Sequence, residues 1–97
     1  MSTVCLCRRA GKLEIGFDAV CAEISGKSLG GALLAADVSA KTEKEIRFLC
    51  EKHKREVLKT DFTMDDAKNA VGKRAGVFFI TDEGLFGAVK RTLVSDN

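Results

Sequence analysis

Two spacings of apolar residues alternate along the chain. Phe17, Val20, Cys21 and Ile24 recur at i, i+3, i+4 and i+7, the apolar stripe of a helix, and Gly26 ends it. Ile46, Leu49, Cys50 and His53 repeat the stripe, with Thr42 and Glu45 spaced as a capping box at its start. Thr63 with Asp66 makes a second capping pair, opening a short helix through Met64, Ala67, Ala70 and Val71 to Gly72. Asp82 caps a last helix whose inward face is Phe86, Val89 and Leu93, and Ser2–Ala10 forms a first helix ending near Gly11.

The other segments read as strands. Gly30–Ala36 (GGALLAA) is a continuous apolar run bounded by glycines and Asp37, which suits a strand covered on both faces. Gly76–Thr81 (GVFFIT) is the strongest strand by β-branched and aromatic content. Lys12–Ile15 and Glu56–Lys59 add two brief extended pieces. Strands alternating with helices in this order predict a layered α/β/α sandwich with a largely parallel sheet. No repeat, linker or low-complexity tract divides the 97 residues, so residues 1–97 read as one domain.

Composition narrows this picture little. Apolar residues make up 45% and charged residues 31%, which excludes a disordered chain but not much else. No apolar run reaches the roughly 18 residues of a membrane span, and the start lacks a secretory pattern, so the expected compartment is the cytoplasm. In a reducing compartment Cys5, Cys7, Cys21 and Cys50 read as small buried hydrophobes, and Cys5-x-Cys7 is too tight for a zinc pair. No metal and no cofactor are expected.

Charge placement says more than the net charge of +2. From Lys41 to Arg55, Lys and Arg alternate with Glu, the pattern of a solvated helix face. Arg8, Arg9 and Lys12 are uninterrupted by acid until Glu14 and precede the helix that opens after Gly16. A helix start offers unpaired N–H groups and partial positive charge, suited to phosphate. Lys73 and Arg74 form a second acid-free patch, and two such loops could straddle a nucleic-acid backbone. Catalytic constellations are weaker. Cys50 and His53 share a helix stripe that faces the core, and Asp65–Asp66 and Asp82–Glu83 sit where helix starts favour acids. Neither GKLEIG nor SGKSLGG fits a phosphate loop. The expectation is a protein without catalytic activity.

The strings RAGKLEIGFDAV, LLAADVS, TMDDAKNAVGK and RAGVFFITDEG, in this order from about Cys7 to about Leu93, resemble the YlxQ-type ribosomal proteins. These belong to the wider kink-turn RNA-binding superfamily of archaeal and eukaryotic ribosomal proteins. The resemblance implies a three-layer α-β-α sandwich around a four-stranded mixed sheet. It also implies RNA binding through the start of the second helix and the loop before the last strand. In better-known members that helix opens with Gly, a small polar residue, Asn and Glu, with a Lys one turn later, and these read guanines of a kink-turn. By position they correspond to Gly16, Phe17, Asp18, Ala19 and Ala22 here, of which Gly16 matches outright. Asp18 keeps hydrogen-bond acceptors, whereas Ala19 and Ala22 have no polar side chain.

The site expected from residues and resemblance together is Arg9, Lys12, Gly16, Phe17, Asp18, Ala19, Ala22, Lys73 and Arg74. The expected function is ribosome-associated recognition of structured RNA, ribosomal RNA first, by a monomer without a membrane partner. The alternative is a protein-interaction module that keeps the fold without specific RNA recognition.

Overall fold

The run Val77–Ile80 has no polar face to offer water, and in the computed structural model all four residues are buried in the middle of the sheet. The structure describes residues 2–94. Along the chain the elements are α1 (Ser2–Arg9), β1 (Leu13–Ile15), α2 (Phe17–Ile24), β2 (Gly31–Leu34), α3 (Ala40–Lys52), β3 (Val57–Lys59), α4 (Met64–Val71), β4 (Val77–Ile80) and α5 (Glu83–Val94). The four strands lie in the order β1-β4-β2-β3.

Alternate residues of the central strands feed opposite cores, as the period of two requires. Leu33, Phe78 and Ile80 pack with Val4, Cys7, Ala67, Val71, Phe86 and Val89, so α1, α4 and α5 cover one face. Ala32, Leu34, Val77 and Phe79 pack with Val20, Ile24, Ile46 and Cys50, so α2 and α3 cover the other. This is the three-layer α-β-α sandwich. Phe78 and Phe79 are wholly buried on opposite faces, each burial stabilising by about 1.5–3 kcal/mol.

The sheet is four-stranded and mixed, as the resemblance implies, which corrects the largely parallel sheet inferred from strand–helix alternation. Only β2 and β3 pair in parallel, while β4 runs antiparallel to both β1 and β2. The reason lies in α4. The chain enters this helix from the end where β3 finishes, and residues 73–76 return it to that same end, where Gly76 O accepts from Ala35 N at 2.9 Å. Strand β4 therefore has to run back against its neighbours. We call this the upper end: β4 starts there, and β1, β2 and β3 finish there.

Capping follows the sequence in part. Thr63 and Asp66 form the expected reciprocal box at α4, and Asp82 Oδ1 accepts from Leu85 N at 2.9 Å at α5. The cap of α3 is Ser39 instead of Thr42: its extended backbone precedes the helix, and its hydroxyl accepts from Thr42 N at 3.2 Å. Thr42 is thus inside the first turn. His53, placed on the buried stripe by its spacing, is the exposed residue that ends α3. Cys7 and Cys50 are buried as expected, whereas Cys5 and Cys21 are half-buried, and all four thiols are free.

Candidate nucleic-acid interface

Four segments meet at the upper end: the start of α2, the 35–39 loop, the start of α4, and residues 74–77 that lead into β4. Asp37 ties two of them, its carboxylate accepting from Met64 N at 2.9 Å. Gly16 ties two more, donating its N–H to Val77 O at 3.1 Å. Gly16 has φ 102° and ψ 158°, a region essentially reserved for glycine, and this sharp turn aims α2 away from the strand it follows. Between the segments lies a groove of about 350 Å³. Phe17, Val38, Met64 and Val77 give it apolar walls, and Ser39, Thr42 and Arg74 give it polar ones.

Phe17 decides the character of this groove. Its place in the i, i+3, i+4, i+7 stripe pointed to burial, yet only Val20 and Ile24 of that stripe enter the core deeply. Phe17 remains 38% exposed at the first position of α2, where it forms part of the groove wall. Part of its surface is therefore open to a ligand. The helix start also keeps unpaired backbone donors, with the Asp18 carboxylate in its first turn. No side chain caps α2. The N–H of Gly16 is itself occupied by Val77, so the available donors are those of Phe17, Asp18 and Ala19. Asp18 is exposed in the first turn, Ala19 is half-buried, and Ala22 is exposed one turn on.

The basic residues divide. Arg74 lines the groove, with its Nε 3.0 Å from Asp65 Oδ1 and its Nη1 against Met64 Sδ. Both partners of this ion pair are largely exposed, so it is weak and exchangeable. Lys73, beside it, is exposed. Lys12 is not brought to Gly16, contrary to the grouping drawn from sequence. Its carbonyl accepts from Thr81 N at the lower end, and strand β1 separates it from Gly16 by about 13 Å at roughly 3.3 Å per residue. Arg9 is likewise outside the groove, at the end of α1, where it borders a separate shallow depression with Thr3, Cys5 and Leu6.

The residues of the other constellations are placed by packing and capping. Cys50 is 1% exposed, and burial pushes its thiol up to about 11, while His53 points into solvent past the helix end. Burial, with the Asp82 charge as a lesser cause, also pushes the Cys7 thiol up. Asp66 is engaged in its capping box and Asp82 in capping α5. Among the described residues no group of three or more His, Cys, Asp or Glu side chains could hold a metal ion, and no helix is long and apolar enough to cross a membrane. Sequence reasoning missed Val38, Met64 and the Asp65–Arg74 pair. Met64 and Asp65 were visible as the opening of a helix, but nothing in their spacing from Phe17 or Arg74 reveals that they share a groove.

The chain's fold is similar to that of the solved structure of a protein with unknown function from Bacillus halodurans C, with a TM-score of 0.86. The match covers 95% of this chain and 93% of that one at 20% sequence identity. That likeness establishes the fold. No protein-family model and no curated protein matches the sequence.

Proposed function

We propose that this protein binds structured RNA, without catalysing a reaction on it, through the groove at the upper end of the sheet. The observation that carries the reading is the half-exposed Phe17 at the uncapped start of α2, which lines with Arg74 the same apolar-walled groove. Unstacked bases are recognised by aromatic faces together with nearby hydrogen-bonding groups, and phosphates by helix-start N–H groups and arginine. Asp18 supplies a carboxylate beside the ring for a guanine edge. The resemblance to YlxQ-type ribosomal proteins points to the same helix start, to a kink-turn as the RNA and to the ribosome as its setting in the cytoplasm.

A fluorescence or gel-shift titration against a kink-turn hairpin and an unrelated duplex tests this. The kink-turn RNA is expected to bind at least tenfold more tightly at moderate salt, and Phe17→Ala to remove most of that preference while leaving the fold intact. Equal affinity for both RNAs means that recognition is not specific. A second reading follows from Ala19 and Ala22, which lack the polar groups found at these positions in better-known family members. On that reading the fold serves a protein partner, and affinity capture recovers a partner that persists after nuclease treatment.

A further inference from the structure

The groove accounts for Arg74 but not for the cations at the other end of α4. There the sequence's two acid-free patches converge. A Cβ placed on Gly72, the residue that ends α4, would lie 4.0 Å from the Arg8 guanidinium. The half-buried Cys5, one turn earlier on α1, has its thiol 3.6 Å from the Ala70 carbonyl, so α1 is held against the end of α4. Helix α1 contains no acidic residue. Among the described residues the carboxylates engage Arg47, Lys59, Arg74 and Lys90, while Arg8, Arg9 and Lys73 take part in no ion pair. The acids of α4 lie at its far end, Asp65 with Arg74 and Asp66 in the capping box.

Helix-dipole compensation explains a cation in the last turn of its own helix. It favours Arg8 and Arg9, which lie in the last turn of α1, and it favours Arg8 again at the end of α4, but it leaves Arg8, Arg9 and Lys73 without a carboxylate paired to any of them. Lys73 is also the link, since it sits between Gly72 and the groove residue Arg74. Along the chain Lys73 joins the groove residue Arg74 to Gly72, beside which the Arg8 guanidinium lies, and Arg9 follows Arg8 at the end of α1.

We infer that Arg8, Arg9 and Lys73 form a seam that holds the phosphodiester backbone of an RNA strand as it leaves the groove. This rests on the RNA-binding reading above and adds to it. The RNA has to extend beyond the segment seated against Phe17, and part of its affinity is independent of sequence.

Salt dependence separates the two contributions, because phosphate contacts set the slope of log K against log salt. With a labelled kink-turn hairpin carrying a flanking strand, the Arg8→Gln/Lys73→Gln double variant is expected to flatten that slope by about 0.7 per lost contact on a single strand, or about 0.9 on a duplex. Phe17→Ala is expected to weaken binding with the slope unchanged. A hairpin trimmed of the flanking strand should bind wild-type protein with the shallower slope and be indifferent to the double variant. Lys44→Gln, on α3, controls for the loss of net charge, and Arg9→Gln alone serves if the double variant does not fold. If wild-type protein binds the hairpin and the double variant keeps the wild-type slope, or Lys44→Gln flattens it equally, the seam is wrong and the groove reading stands. If wild-type protein binds neither hairpin, both are wrong.

Discussion

At the lower end of the sheet, the loops are stitched to each other by a single guanidinium, whereas at the upper end four segments meet around open space. Arg55 donates to the carbonyls of Ile24, Gly26 and Ser28, fastening the 24–28 segment to the start of β3. Gly30 and Gly31 bring β2 so close to its surroundings that a Cβ would overlap the Ile80 carbonyl oxygen or the Phe86 ring. At the upper end a Cβ on Gly16 would meet nothing within 4 Å; there glycine is required by its φ of 102° instead. The lower end spends Gly30 and Gly31 on closing space, whereas the upper end closes space only at Gly76, against Val38 and Met64, and spends Gly16 on aiming a helix. The difference teaches where a binding surface can be sought: the end in which backbone geometry is fixed while side-chain space is left unfilled.

Five substitutions can break or sharpen this contrast. The largest effect is expected from Gly31→Ala, which forces overlap with Phe86 and should cost about 3 kcal/mol or more in denaturant unfolding. Gly16→Ala should cost less, about 1–3 kcal/mol from backbone strain, and should alter the groove more than the core. Equal costs would mean that the two ends are not built differently. Next, Arg55→Gln should lose about 2 kcal/mol, as charged hydrogen bonds to three carbonyls are removed. Amide exchange should then quicken in the 24–30 segment and not around the groove; a uniform change would count against the staple.

Asp65→Asn tests the upper end. Freed from its exposed partner, Arg74 should raise RNA affinity several-fold, with stability changed by less than about 1 kcal/mol. Unchanged or weaker RNA binding would remove Arg74 from the interface. The smallest effect concerns Glu43, whose carboxyl is held below the usual range by hydrogen bonds from Lys59 and then Arg47. A depressed carboxylate pKa contributes stability above its unfolded value that disappears as pH falls through the folded one. Wild type should therefore exceed Glu43→Gln slightly at neutral pH, and the two curves should merge in acid. A constant difference at all pH values would show that the ion pairs are not its source.

How much of this was legible in the sequence depended on whether the signal was local. The α4 cap, the buried Val77–Ile80 strand and the inward face of α5 were readable because each depends on residues within one or two turns. The direction of β4 was not, because alternation of strands and helices does not say to which end a short helix returns the chain. Phe17 fitted its stripe, yet the stripe carries no information on whether the core extends as far as the first turn. Arg55 looked like one more charge on a solvated face, since backbone carbonyls as partners leave no trace in side-chain spacing. The grouping of Lys12 with Gly16 failed for a simple reason: closeness in sequence along an extended strand is distance in space.

The placement of β4 has a consequence for synthesis. Strand β1 hydrogen-bonds to no other strand, and Leu13 finds its partner only at Ile80. A nascent chain that has emerged through Lys59 can join β2 to β3, but β1 remains without a neighbour until the Val77–Ile80 segment arrives to lie between them. Closure of the sheet therefore waits for a segment far along the chain from β1, and it requires contacts of large sequence separation, the class that slows folding. Until then the backbone N–H and C=O groups along the facing edges of β1 and β2 stand unpaired, the kind of open edge through which partly folded chains associate.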